Sequence, residues 1–148
     1  MKLLFINKPF IIEPLGIMYL SASAKEKGHE SDLVLTSENL EKKLQEYKPD
    51  FVGYSMMTGD QELYDSINRR LKQKNIFFSI AGGPHPTFFP EMLEHTSFDA
   101  ICRGEGEISL QQLLDNPQSK DIPNFHFKDD SGITRNPVQA LIPDIDAI

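Results

Sequence analysis

Phe51-Val52-Gly53-Tyr54-Ser55-Met56-Met57-Thr58 and, further on, Ile76-Phe77-Phe78-Ser79-Ile80-Ala81-Gly82-Gly83-Pro84-His85-Pro86-Thr87 are the stretches that decide the fold. Each is a short apolar run that ends on small or hydroxyl residues. Apolar runs of this length without polar alternation read as strands covered on both faces, the mark of a parallel sheet. The same unit recurs on either side. Leu3 to Ile6 reads as a first strand, Ser31 to Leu35 as a second and Phe98 to Cys102 as a fifth. The two opening stretches supply the third strand, Phe51 to Tyr54, and the fourth, Ile76 to Ala81.

Between the strands lie amphipathic segments. Leu15 to Lys27 predicts a helix ended by Gly28 at a C-cap. Ser37 is a candidate N-cap for a helix that carries Leu40, Leu44 and Tyr47 on one face, stopped by Lys48-Pro49. Asp60 is placed to cap a third, with Leu63, Ile67 and Leu71 facing inward. A short helix is expected over Pro90 to Glu94, and a last one over Glu107 to Leu114 with Leu110, Leu113 and Leu114 inward. Strand–helix alternation of this kind predicts an α/β fold, a flavodoxin-like (Rossmann-like) doubly wound parallel sheet in the order 2-1-3-4-5. Asn116 to Lys120 reads as a linker. Asn124 to Lys128 and Ile133 to Val138 flank Asp129-Asp130-Ser131-Gly132, a hairpin signal, so a C-terminal β-hairpin extension is expected. The organisation this gives is an α/β domain over residues 1–115, followed by linker, hairpin and lead-in over 116–148.

The net charge of −7 argues against a nucleic-acid partner or an anionic membrane surface, both of which select clustered Lys and Arg. No apolar run reaches the length of a membrane span. The single cysteine, Cys102, makes no intrachain disulfide, which points to a reducing cytoplasm. One thiol also cannot supply the three thiolates of a radical-SAM iron–sulfur cluster. In a buried strand it reads as an inert core thiol ahead of a nucleophile.

In an open parallel sheet, ligands bind beyond the C-terminal strand ends, near the switch in strand order. Four loops form that rim: Asn7 to Leu15, Ser55 to Asp60, Gly82 to Thr87 and Arg103 to Glu107. Two neighbouring strands that both end small leave a slot that a narrow group can enter. A tight turn at Gly82-Gly83 is the plainer reading of the same pair. Familiar ligand motifs do not fit. The first strand is followed by Lys8-Pro9-Phe10 and not by a dinucleotide-binding glycine run, and Gly104-Glu105-Gly106 carries an acid where a pyrophosphate would sit. Tyr54-Ser55 stands where a phosphoacceptor domain needs aspartate, and no Walker-type phosphate loop is present.

Four segments in order resemble one family. They are Pro14-Leu15-Gly16-Ile17-Met18-Tyr19-Leu20-Ser21-Ala22 with Lys27-Gly28-His29-Glu30; Asp50 to Thr58; Ala81-Gly82-Gly83-Pro84-His85-Pro86-Thr87; and Asp99-Ala100-Ile101-Cys102-Arg103-Gly104-Glu105-Gly106-Glu107. Together they are similar to the N-terminal cobalamin-binding domain of class B radical-SAM proteins, mostly methyltransferases and related oxidoreductases. The likeness spans roughly residues 1 to 115, and the hairpin with Ile142 to Ile148 resembles the lead-in to the radical-SAM barrel.

The resemblance implies cobalamin held over the rim, with its nucleotide tail running past Ser55 and Gly82-Gly83. On this basis Ser55, Met56, Thr58, Gly82, Gly83, Pro84, His85, Gly104 and Glu105 are the expected cofactor-binding residues; no catalytic residue or metal ligand is assigned. It also implies S-adenosylmethionine and a [4Fe-4S] cluster elsewhere in the parent protein, since Cys-x-x-x-Cys-x-x-Cys is absent here, with the C-terminal barrel of the same chain as partner. Cobalamin proteins in general carry Asp-x-His-x-x-Gly after the first strand, but Asn7 to Gly16 holds no histidine, so cobalt would lack that lower ligand. Other readings stand beside this one. His85 could touch the corrin or be an ordinary loop histidine. Met56 and Met57 could pack on a corrin edge or lie in the core. Glu107 reads as favourable charge at a helix start, and Glu105 as that or as a contact to cofactor amides or to the barrel. The alternatives for the whole are a vacant Rossmann-like scaffold that docks the barrel or a substrate, and a flavin-binding module.

Overall fold

Leu3, Leu4, Phe5 and Ile6 are all buried, as a strand covered on both faces requires. They belong to β1 (Lys2–Asn7), the second strand of the sheet in a computed structural model that describes residues 1–139. The remaining elements, in chain order, are α1 (Leu15–Glu26), β2 (Glu30–Leu35), α2 (Leu40–Tyr47), β3 (Phe51–Ser55), α3 (Gln61–Lys72), β4 (Phe78–Gly82), α4 (Pro84–Phe88), α5 (Met92–His95), β5 (Ala100–Cys102), α6 (Glu107–Asp115), β6 (Phe125–Asp129) and β7 (Gly132–Arg135). The sheet order is β2-β1-β3-β4-β5-β6-β7. The first five strands run parallel in the predicted order, with Leu4 beside Val52 and Tyr54 beside Ala81. The hairpin does not stand apart from this layer. β6 pairs antiparallel with β5, placing Ile101 beside His126, and β7 completes the edge. The lead-in expected at Ile142 to Ile148 lies outside the described residues.

Side-chain alternation sorts the core into two layers. Leu4, Ile6, Val52, Tyr54, Ala81 and Ile101 meet α2, α3 and α5 on one face. Leu3, Phe5, Phe51, Ile80, Ala100 and Cys102 meet α1 and α6 on the other, as doubly wound packing demands. Leu110, Leu113 and Leu114 are buried as their spacing predicts. Each such side chain contributes about 1.5–3 kcal/mol by leaving water.

Four local expectations need correction. Asn39, not Ser37, caps α2: its side chain accepts the Lys42 amide at 3.0 Å, because the chain first makes a turn through Ser37 and Glu38. In α3 the inward positions are Tyr64, Ile67, Asn68 and Leu71, while Leu63 is exposed. The helix is rotated by one residue because Tyr64 reaches back to the first loop, and Asn68 bonds Ser79 and Ser97 beneath it. Strand β4 begins at Phe78, leaving Ile76 fully exposed in the preceding turn. The short helix expected over Pro90 to Glu94 forms as α5 from Met92, and the Gly82 to Thr87 rim loop contains α4, where Pro84 sits in the first turn that tolerates proline.

Candidate functional site

Ser55 and Gly82 are register partners at the C-terminal ends of adjacent central strands. Strand parity turns both toward α1 and α6, together with Gly53, Ile80 and Cys102. The result is a small cleft of about 60 Å³ with a mainly apolar lining. Leu3, Phe5, Gly53, Ile80, Cys102 and Phe125 make its floor, Leu20 of α1 with Gly106 and Leu110 of α6 make its walls, and Ser55, Gly82 and Gly83 stand at its mouth. A small cleft thus opens where residue size predicted a slot, on the α1/α6 side of the sheet.

Each glycine of the cleft has its own reason. A Cβ on Gly53 would lie 2.8 Å from the Phe5 ring, so the missing side chain makes room for that ring. At Gly82 a Cβ would meet nothing within 4 Å, which leaves open space beside Ser55. Gly83 adopts φ +98°, and a Cβ there would lie 2.9 Å from the Met56 carbonyl oxygen and 3.0 Å from its nitrogen. Only glycine combines that left-handed backbone with so close an approach of two strand ends. A Cβ on Gly106 would lie 3.1 Å from Leu20, so this glycine sets the spacing of α6 on α1.

The other expected site residues spread around the rim. The Met56 side chain is buried in the opposite core layer, so only its backbone reaches the strand ends: its N–H donates to the Gly82 carbonyl at 2.9 Å, and its carbonyl accepts the His85 N–H at 3.2 Å. Met57 is exposed. His85 is buried beneath Phe89, with ring centroids 5.2 Å apart, and its Nδ1 lies 3.3 Å from the Thr58 hydroxyl. Thr58, Pro84, Gly104 and Glu105 are exposed at the rim and line no part of the cleft.

Two further tethers fix the rim loops. Tyr64 Oη accepts the Lys8 amide at 3.0 Å and donates to Asn7 at 3.2 Å, while Lys8 Nζ donates to Asp60 at 2.5 Å. This draws the first and second rim loops together and leaves Phe10, Ile11 and Ile12 exposed. Buried Asn124 holds the fourth loop, donating to the Glu105 carbonyl at 2.6 Å and accepting the Arg103 amide on its own carbonyl at 2.9 Å. Cys102, on the cleft floor, has its thiol pushed up to about 12, first by burial and then by the charges of Glu107 and Glu105. Sequence reasoning missed Phe5, Leu20 and Asn124, since nothing in a local run of residues says which distant helix will lie across a strand. Gly106 alone gave a signal, as the second glycine of Gly104-Glu105-Gly106.

A family model described as the B12 binding domain matches residues 1–114. The chain belongs to the B12-binding domain family. Among curated relatives of this B12-binding domain, an uncharacterized methyltransferase of Pyrococcus horikoshii is 32% identical over an alignment 150 residues long that covers 91% of this chain and 32% of the relative. The cytidylyl-2-hydroxyethylphosphonate methyltransferase of Streptomyces wedmorensis is 24% identical over an alignment 151 residues long that covers 80% of this chain and 28% of the relative. The chain thus spans about a third of the length of the curated relatives it matches. The N-terminal domain of a hypothetical protein of Thermotoga maritima shares the fold, with a TM-score of 0.54 at 21% identity over 76% of this chain and 97% of that one.

The cleft's own residues fit the family's cofactor. The apolar floor is of the chemistry that a heteroaromatic base needs, and the glycine mouth with one serine hydroxyl is of the chemistry that a narrow polar tail needs. Gly82 is the cradle a side chain would fill. Among the described residues, no helix is long and apolar enough to cross a membrane.

Proposed function

We propose that this B12-binding domain holds cobalamin for a methyltransferase of the radical-SAM kind, in which the catalytic barrel, S-adenosylmethionine and the iron–sulfur cluster belong to the remainder of the parent protein. The observation that carries the reading is the open space at Gly82 beside Ser55, at the mouth of an apolar cleft on the switch-point side of the sheet. Family membership and the methyltransferase names of two relatives support it. The chemistry cobalamin supplies when bound is a methyl group carried on cobalt. The work of this chain is to bind and orient. Ser55 offers a hydroxyl to the tail, Gly82 and Gly83 leave it room, and Leu3, Phe5 and Ile80 exclude water around the base. The exposed Phe10, Ile11, Ile12 and Phe88 give the rim an apolar bearing surface for the macrocycle and the barrel. Because Asn7 to Gly16 contains no histidine, the first rim loop offers cobalt no imidazole. The residues expected at the rim, Thr58, Pro84, His85, Gly104 and Glu105, act in this reading through loop shape and outer contacts.

Titrating the chain with hydroxocobalamin, read by the visible spectrum, tests the binding step. We expect saturation in the micromolar range and a loss of about tenfold or more in Gly82→Leu and Ser55→Leu. A folded chain that leaves the spectrum unchanged at high micromolar cobalamin, or Gly82→Leu binding as tightly as the native chain, refutes it. The radical-SAM assignment is tested separately by the gene: Cys-x-x-x-Cys-x-x-Cys within a few dozen codons after Ile148 is expected, and a different following domain overturns it.

A further inference from the structure

The chain has four arginines, and three of them sit on carboxylates: Arg69 on Asp65 at 2.8 Å, Arg70 on Glu41 at 3.0 Å and Arg135 on Glu94 at 2.8 Å. Arg103, at the C-terminal end of β5, has no carboxylate within ion-pair reach among the described residues, in a chain of net charge −7. It is also half-buried, where an unpaired charge is costly. A guanidinium carries five N–H donors in a fixed fork. Here two are engaged, both at the long end of hydrogen bonding: Nε with the Thr87 carbonyl at 3.4 Å and Nη1 with His126 Nε2 at 3.5 Å.

The neighbours hold this fork at the rim without satisfying it. His126, buried on β6, faces Arg103 just past β5 and, across the strand pair, Arg135 of β7, which is itself paired with Glu94 of α5. Burial first, then these two guanidiniums, hold the imidazole below its ordinary pKa, so at neutral pH it is the uncharged acceptor the Arg103 N–H needs. Thr87 connects the group to the cleft mouth, since its hydroxyl accepts the Gly104 amide at 3.0 Å and donates to the Gly83 carbonyl at 2.8 Å. Glu105, two residues on and exposed, disfavours a multiply charged diphosphate.

We propose that Arg103 anchors a subsite for a singly charged oxyanion, a carboxylate or a phosphodiester, at the rim of this B12-binding domain. Such a group presents two oxygens to the open side of the fork, the bidentate match that guanidinium makes best. The oxyanion has two possible sources, the phosphodiester of cobalamin or a separate small molecule. Only the first rests on the cobalamin reading.

The test uses isotope-labelled chain, native and Arg103→Gln, with far-UV circular dichroism confirming the fold. Dimethyl phosphate and acetate are titrated while the Arg103 Nε–H and His126 ring signals are followed by NMR. We expect a saturable shift of both signals in the native chain and none in Arg103→Gln; Arg103→Lys, which keeps the charge without the fork, should bind more weakly than the native chain. No saturable shift, or the same shift in Arg103→Gln, overturns the subsite. A second arm compares hydroxocobalamin with dicyanocobinamide, which lacks the phosphodiester. A loss of about tenfold in Arg103→Gln for cobalamin alone assigns the oxyanion to the cofactor, since one charge-assisted pair amounts to about that factor. An unchanged affinity for both corrinoids, with the NMR shift present, assigns it to a separate small molecule. If the native chain binds no corrinoid, the first arm still decides the subsite.

Discussion

Gly82 and Gly83 are adjacent, yet the structure gives them opposite roles, and one pair of substitutions separates them. In Gly83→Ala the new methyl meets two penalties. The backbone stands at φ +98° and ψ −171°, a region that is essentially glycine's own and that costs another residue about 1–3 kcal/mol. The methyl also lies 2.9 Å and 3.0 Å from the Met56 carbonyl oxygen and nitrogen. Both atoms belong to strand-end backbone already bonded to Gly82 and His85, so neither yields cheaply, and overpacking of this kind costs about 1–3 kcal/mol. The expected loss is therefore about 2–6 kcal/mol. In Gly82→Ala the methyl meets nothing within 4 Å and no positive φ is involved. Its stability should stay within about 0.5 kcal/mol of the native chain or rise slightly, because alanine reduces the freedom of the unfolded chain. Urea unfolding followed by circular dichroism reads both, with an unchanged slope as the check that only stability moved. A Gly83→Ala loss below about 1 kcal/mol, or an equal loss in the two variants, would refute the account of the strand ends.

Two more predictions follow from titrating groups. Cys102 should react with a disulfide reagent at pH 8 at a small fraction of the rate of a free thiol and become fully reactive on unfolding, because burial pushes its thiol up to about 12; prompt stoichiometric labelling of the folded chain would show that the cleft floor is wet. His126 is held below its unfolded value of 6.5 by burial and by Arg103 and Arg135, so the unfolded chain binds the proton more readily. The His126 contribution to stability is complete above about pH 6.5 and shrinks as pH falls through the depressed folded value. Replacing it with glutamine should flatten that part of the pH–stability curve, and an identical slope between pH 7 and 5 in the two proteins would reject the assignment.

How far the site could be read in advance differs residue by residue. Ser55, Gly82 and Gly83 were legible because size and backbone freedom are properties of the residue itself, and their place at strand ends follows from short apolar runs. Met56 was not, since a residue just past a strand end can turn to either face, and here it enters the layer with Tyr54 and Tyr64. His85 looked like an open loop residue; the turn of helix after Gly83 buries it under Phe89. Arg103 gave no signal, for its open fork is defined by partners it lacks among the described residues.

Strand–helix alternation, the parallel order 2-1-3-4-5 and the pairing of small residues at two central strand ends are written in the chain, because these depend on patterns within about ten residues and on the chain rules of α/β folds. That the hairpin continues the sheet, that the cleft opens between α1 and α6, and that Phe5 and Leu20 shape it emerges with the packed fold. Those outcomes depend on which distant surfaces bury each other, and burial is a property of the assembled layers that no single stretch of chain carries.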